Sequence, residues 1–241
     1  EEIERERLVI LEEIKRGLDS PSQIVGQEAF SQLFQGSELG RPIIGSVESV
    51  SGFTRDEIYA FYQQHYCAEN MVLVVTGGFR DEDYHAAQTL FGQCETRGQR
   101  QAIAAIPPSA GPMECKLIRG DYQQPRLTLL LSGPSINDED AVALDAAAFS
   151  LAGGDLGRLN LELRDREQLA TGIHASLYSL GCAGAFEISA ICNEDQIQRL
   201  NQAIHDQLMD LATKRPTSTD ELDRARTNLK AVSYTHLTLP T

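Results

Sequence analysis

Ile3, Ile10 and Ile14 recur at helical spacing among Glu and Arg residues, which predicts an amphipathic helix from Glu2 to Leu18, closed by the breaker Asp19-Ser20-Pro21. A second helix is expected over residues 23–34, ending at Gly36, and residues 39–45, punctuated by glycine and proline, read as a loop. Thr54-Arg55-Asp56-Glu57 has the form of a capping box: a threonine hydroxyl and a glutamate three residues on satisfy each other's free amides. It opens a helix that runs to Tyr66. The continuous apolar run at 71–76 has the length of a buried strand, and after Gly77-Gly78 acids fill the first turn of a helix over 81–91, complementing its dipole.

The pattern changes at residues 98–113, where Pro107, Pro108, Gly111 and Pro112 mark a linker. Beyond it, 115–119 and 126–132 read as strands, 138–152 as a helix, 156–164 as a short helix, and 172–180 with 185–192 as a hairpin. Residues 196–213 and a segment capped by Ser218 and Glu221 give two further helices. Hairpin strands with helices grouped beside them favour an α+β fold over a doubly wound parallel sheet. The charged helix over 221–230 then passes into threonine-rich, chargeless sequence. Residues 232–241 read as the translation of a sequencing adaptor and, with His236, stand outside the functional argument. The chain opens at Glu1 in mid-helix without Met, and is expected to be an internal fragment of a longer protein.

At 241 residues the chain is long enough for one large domain or two of moderate size. Its net charge of −14, from 35 acids against 21 bases, disfavours nucleic acid and anionic lipid and suits basic peptides. No apolar run approaches the ~20 residues of a membrane span. The five cysteines are widely spaced with no C-x-x-C pair, and the odd count points to a reducing compartment, cytoplasmic over periplasmic.

Glu6 and Glu13 lie within about 20° of each other around the first helix and about 10.5 Å apart along it, at the margin of its apolar stripe. Two readings stand: a solvated charged face with Glu-Arg pairs at helical spacing, or a metal-ligand carboxylate, Glu13, with a second functional acid, Glu6. His65, His85, His174 and His205 have no second histidine four residues away and no cysteine at ligand spacing, and read as surface or capping residues. Gly153, Gly154 and Gly157 do not form the G-x-G-x-x-G of a nucleotide loop, and no G-x-S-x-G of a serine hydrolase is present.

Four segments in register resemble the pitrilysin, insulinase and mitochondrial-processing-peptidase family of zinc metallopeptidases, the inverzincins. They are E-R-E-R-L-V-I-L-E-E-I at 4–14, L-G-R-P-I-I-G at 39–45, Y-C-A-E-N-M-V-L-V-V-T-G at 66–77 and G-G-D-L-G-R-L-N-L-E-L-R at 153–164. The resemblance implies two homologous domains, each a mostly antiparallel sheet packed on helices and each incomplete here. Residues 1–97 would be the C-terminal half of the zinc domain, 98–113 the linker and 114–231 most of the second domain. It implies a Zn2+ ion held by two histidines of an H-x-x-E-H helix and by a later glutamate, with zinc-activated water as the nucleophile. Glu13 matches the third ligand and Glu6 the auxiliary acid, while the H-x-x-E-H segment lies outside this chain. Family members also use an arginine and a tyrosine seven residues apart to hold the substrate backbone: Arg164 matches the arginine, but Thr171 stands where the tyrosine would be.

The expected function is therefore that of a fragment of a zinc-dependent endopeptidase or processing peptidase, itself inactive alone. The alternative is a non-catalytic subunit of the same fold that serves assembly or substrate binding. An unrelated acidic scaffold remains only if the four segments coincide by chance. The missing tyrosine points to a dimer partner, a distinct homologous subunit that carries the intact pair.

Overall fold

The computed structural model describes residues 2–94, 104–107, 115–122 and 124–237. They fall into two units, Glu1–Lys15 with Ile44–Ala104, and Arg16–Ile43 with Ala105–Thr241.

Helix α1 (Glu2–Leu18) begins the first unit, which also holds α3 (Val47–Gly52), α4 (Arg55–His65) and α5 (Asp81–Phe91). The capping box before α4 forms as expected, with Thr54 N–H donating to Glu57 Oε2 at 2.8 Å and Glu57 N–H to Thr54 Oγ1 at 3.3 Å. Helix α3 was not legible as a helix, although its own capping box, Ser46 with Ser49, supplies the signal. Arg7, one turn before Ile10 on the stripe, donates to the carbonyls of Val50 and, at 2.7 Å, Phe53. These carbonyls sit where the C-terminal end of α3 leaves acceptors without helical partners. One guanidinium thus pins α1 to α3.

The second unit contains α2 (Pro21–Leu33), with Pro21 at its first turn, and a three-stranded antiparallel sheet in the order β1-β3-β2. The strands are β1 (Arg126–Gly133), β2 (Gly172–Ser179) and β3 (Gly184–Ile191), and α6 (Asp140–Ala152), α7 (Ile197–Thr213) and α8 (Thr219–Leu237) complete the unit. The class is α+β, as the pattern predicted. Because side chains alternate across a strand, Phe186, Ile188 and Ala190 of β3 face one way. Leu131, Leu129 and Leu127 of β1 and Leu177, Ala175 and Ile173 of β2 stand opposite them in register. This face packs on Leu151 of α6 and on Leu200 and Ile204 of α7, with Leu159, Leu163 and Leu169 also fully buried. The opposite face, near Ala185 and Leu130, takes Phe30 and Phe34 from α2 and its following turn, and Phe30 meets the Tyr178 ring edge-on at 5.5 Å. Gly184 starts β3 so close to the Pro134 carbonyl that a Cβ there would lie 1.9 Å from the oxygen.

Three expected elements differ. The run at 71–76 is not a strand: it has no ladder partner among the described residues, and Val72 and Val74 are 86% and 72% exposed. A strand exists only when another strand takes its N–H and C=O groups, so an apolar run alone cannot make one. Residues 115–119 likewise form no strand, and Lys116 instead pairs with Glu28 of α2. The short helix expected over 156–164 divides into a 3-10 turn, Gly154–Leu156, and a π-helical turn, Asn160–Arg166. Of the linker at 98–113, residues 98–103 and 108–113 lie outside the described residues. Within 104–107, Ile106 N–H donates to Cys182 O at 2.8 Å and its side chain packs with Phe34. Helix α8 continues to Leu237, past the expected stop near 230, because nothing before Pro240 breaks it.

Truncating a wholly buried side chain at the sheet centre removes its transfer free energy and leaves a cavity. Ile188→Ala should therefore lower stability by about 2–5 kcal/mol, whereas Val74→Ala should change it by less than ~0.5 kcal/mol. Urea midpoints of the two variants check this, and comparable losses would contradict the exposure of 71–76.

Candidate functional site

Glu6 and Glu13 both stand exposed on α1, beside the stripe of Ile3, Ile10 and Ile14 rather than under it. Glu6 pairs loosely with Arg5 at 3.7 Å. Glu13 makes no ion pair or hydrogen bond among the described residues. Neither acid is desolvated, so the cost expected of a carboxylate at a buried margin does not arise. No group of three His, Cys, Asp or Glu side chains able to hold a metal ion occurs among the described residues. A zinc site takes three or four protein ligands. Glu13 supplies a single carboxylate, so the residues present do not by themselves fit the ion.

Arg164 lies in the other unit, on the π-helical turn Asn160–Arg166. Such turns are rare and need outside support. Part of it comes from Leu159 and Leu163, both wholly buried, which fix the inner face. Asn160, 4% exposed, donates its side-chain amide to Gly154 O at 2.8 Å. Beyond the turn Gln168 adopts a positive φ of 51°, at a cost of roughly 1–2 kcal/mol for a non-glycine residue. That reversal lets Leu169 N–H return to Leu163 O at 2.8 Å and sends Leu169 back into the core.

The turn is anchored to the start of α8 by Arg158, which is 8% exposed. Its Nε and Nη2 donate to Glu221 Oε1 and Oε2 at 2.5 and 2.6 Å, and the remaining donors reach Arg215 O at 2.5 Å and Pro216 O at 2.9 Å. Glu221 closes a capping box by accepting from Ser218 N–H at 2.8 Å. The Arg158 fork, before the Ser218 contacts, holds the Glu221 carboxyl down at about 2. The sequence displayed the Ser218 and Glu221 cap but not its link to Arg158, because those partners are 63 residues apart.

Arg164 itself is held by two carboxylates. Its Nε and Nη2 donate to both oxygens of Asp165 at 2.6 and 3.0 Å, and Nη1 donates to Asp155 Oδ1 at 2.9 Å. These contacts, Asp165 first, raise the guanidinium pKa, and the same fork lowers that of the Asp165 carboxyl. A cavity of about 190 Å³ opens beside Asp155, with Phe149, Gly153 and Arg224 among its walls. Thr171, at the position of the expected tyrosine, is exposed, and both its N–H, at 2.8 Å, and its hydroxyl, at 3.4 Å, donate to Ile191 O. Its side chain is spent on the sheet edge. Asp155 and Asp165 were not singled out from sequence, although the adjacency of Arg164 and Asp165 was visible.

Residues 52–229 match the family described as the peptidase M16 inactive domain. A Mycobacterium leprae protein named as an uncharacterized zinc protease is 31% identical over 220 residues, 88% of this chain and 48% of its own length. An Arabidopsis thaliana protein named as a probable mitochondrial-processing peptidase subunit beta is 26% identical over 246 residues, 98% of this chain and 46% of its own. The crystal structure of a peptidase M16 inactive domain from Pseudomonas fluorescens superposes with a TM-score of 0.82 at 21% identity, covering 95% of this chain and 55% of that one. The chain thus spans about half the length of the curated relatives it matches. No helix among the described residues is long and apolar enough to cross a membrane.

The Arg158 and Glu221 pair sets an acid limit. A carboxyl at about 2 in the folded chain against 4.5 ordinarily contributes stability that is present above pH ~4.5 and lost as pH falls toward 2, on the order of 2–3 kcal/mol. Glu221→Gln should flatten that part of the stability profile and cost about 3–5 kcal/mol at neutral pH by leaving Arg158 buried and unpaired. Denaturant titrations at pH 7, 4 and 3 measure both. An unchanged acid slope would refute the assignment.

Proposed function

The chain belongs to the M16 peptidase family, and on that premise we propose that it is part of a zinc-dependent endopeptidase or processing peptidase acting on peptides within a closed chamber. Residues 1–97 would be the second half of its zinc domain and 114–231 most of the following homologous domain, joined by a linker at 98–113. The observation that carries this reading is the disposition of α1. Glu13 stands exposed with no partner among the described residues, its carboxylate available as the third ligand of a zinc ion whose histidine ligands lie elsewhere in the protein. Glu6, two turns earlier and also exposed, would be the supporting acid. The zinc-protease names borne by relatives support the metal. Arg164, fixed on its π-helical turn, would hold the substrate backbone. When bound, zinc would supply a water made acidic enough to deprotonate near neutral pH. This chain's part is to position one ligand and one end of the peptide.

A second reading has its own support: the matched family description is that of the inactive domain, and Thr171 replaces the tyrosine. On that reading the protein is a non-catalytic subunit of the same fold. An H-x-x-E-H helix encoded upstream separates the two.

In a protein that carries such a helix, Glu13→Gln should abolish activity with loss of bound zinc. Glu6→Gln should lower turnover by roughly 10- to 100-fold with the metal largely retained. Zinc content and turnover are measured on the same preparations, and equal zinc loss in both variants would sink the assignment.

Thr171 is too short to reach where a tyrosine hydroxyl would, so the intact arginine and tyrosine pair should sit on a distinct homologous subunit. The whole protein, purified alone with its zinc, should be inactive on a basic peptide and gain activity when that subunit is added. Full activity without a partner would overturn the heterodimer.

A further inference from the structure

The contacts of Arg164 bear on what it can hold. A free guanidinium offers five N–H donors, and its forked edge suits a carboxylate's two oxygens. Here that edge is taken, because Nε and Nη2 donate to Asp165, and Nη1 donates to Asp155. Two N–H donors remain, one on each terminal nitrogen. With both acids ionised the three groups together carry a charge of −1. Arg164 is also three-quarters buried, whereas the Asp155 side chain is 88% exposed, so the acids reach the arginine from the solvent side. An incoming anion would meet them first.

We propose that Asp155 and Asp165 set the ligand class of Arg164: its two remaining N–H donors take a neutral peptide carbonyl, and the flanking acids turn away a free carboxylate. This rests on the reading of Arg164 as a substrate-holding residue and adds to it a selection between parts of a peptide. An interior stretch, whose backbone is neutral, is accepted; a C-terminal carboxylate is not. Asp165 plays the larger part, since it occupies the carboxylate-shaped edge, and Asp155 fixes the orientation of the remaining donors. The lowered pKa of the Asp165 carboxyl keeps it ionised through the neutral range.

The test uses the 241-residue chain and follows the Arg164 Nε–Hε resonance, identified by its disappearance in Arg164→Lys. Acetate is the carboxylate probe, and an acetylated, amidated hexa-alanine is the neutral one. Wild type should respond to the capped peptide and not to acetate at equal concentration. The Asp155→Asn, Asp165→Asn double variant should bind acetate at least tenfold more tightly than wild type does. Both acids lie at the surface, so the double variant is expected to fold, and an unchanged urea midpoint checks this. Asp165→Asn alone should give most of the gain. If acetate binds wild type and the double variant equally, the proposed selection is wrong. If the capped peptide leaves the resonance unmoved in wild type, the substrate-holding reading of Arg164 fails, while the acetate comparison still decides whether the acids exclude carboxylates.

Discussion

β3 is the strand with a neighbour on each edge, and the second unit is built outward from that fact. A backbone N–H or C=O withdrawn from water must find a partner, and β3 satisfies both its edges by pairing with β1 and β2 over eight residues each. The pairing then fixes which side chains share a face. The face of Phe186, Ile188 and Ala190 receives α6 and α7, and the other receives Phe30 and Phe34. The same rule explains the first unit, where the run at 71–75 is as apolar as any strand of the sheet yet stands exposed for want of a neighbour.

On this sheet rests a second device, the strained segment that carries Arg164. A π-helical turn, a residue at positive φ and a buried asparagine are each unfavourable alone. They persist because Leu159, Leu163 and Leu169 are locked into the core on one side and Arg158 grips Glu221 and two carbonyls on the other. Charge is handled differently at the two arginines. Arg158 is satisfied inward, by a carboxylate and by the chain ends it joins. Arg164 is satisfied at the surface by two acids, so it presents donors with little net positive charge.

The two acids of α1 show the contrary case. Glu6 and Glu13 meet no opposing charge beyond the weak contact to Arg5, and nothing in their own unit makes them a metal site. Their significance comes from the family to which the chain belongs, and from the fact that the chain spans only about half of each curated relative. A ligand set divided between distant parts of a sequence leaves single carboxylates that look like ordinary surface residues when only one part is present.

What the sequence determined by itself was local. The extents of α1, α5 and β1, the hairpin of β2 and β3, and the caps at Thr54 and Ser218 follow from periodicity and from hydroxyl and carboxylate spacing, interactions that close within a few residues. So did the positions of Glu6, Glu13 and Arg164, through motifs carried on contiguous segments. Tertiary structure decided whatever depends on a partner far along the chain. Residues 71–76 and 115–119 have strand composition, but a strand is a property of a pair. Arg158 reads as one more charged residue until Glu221, 63 positions later, closes on it, and Asp155 reads as a turn residue until the π-helical turn brings Arg164 to it. Apolar spacing records which face of an element is buried. It carries no record of which distant backbone or charge meets that face, since that contact is set by the folded geometry of both partners together.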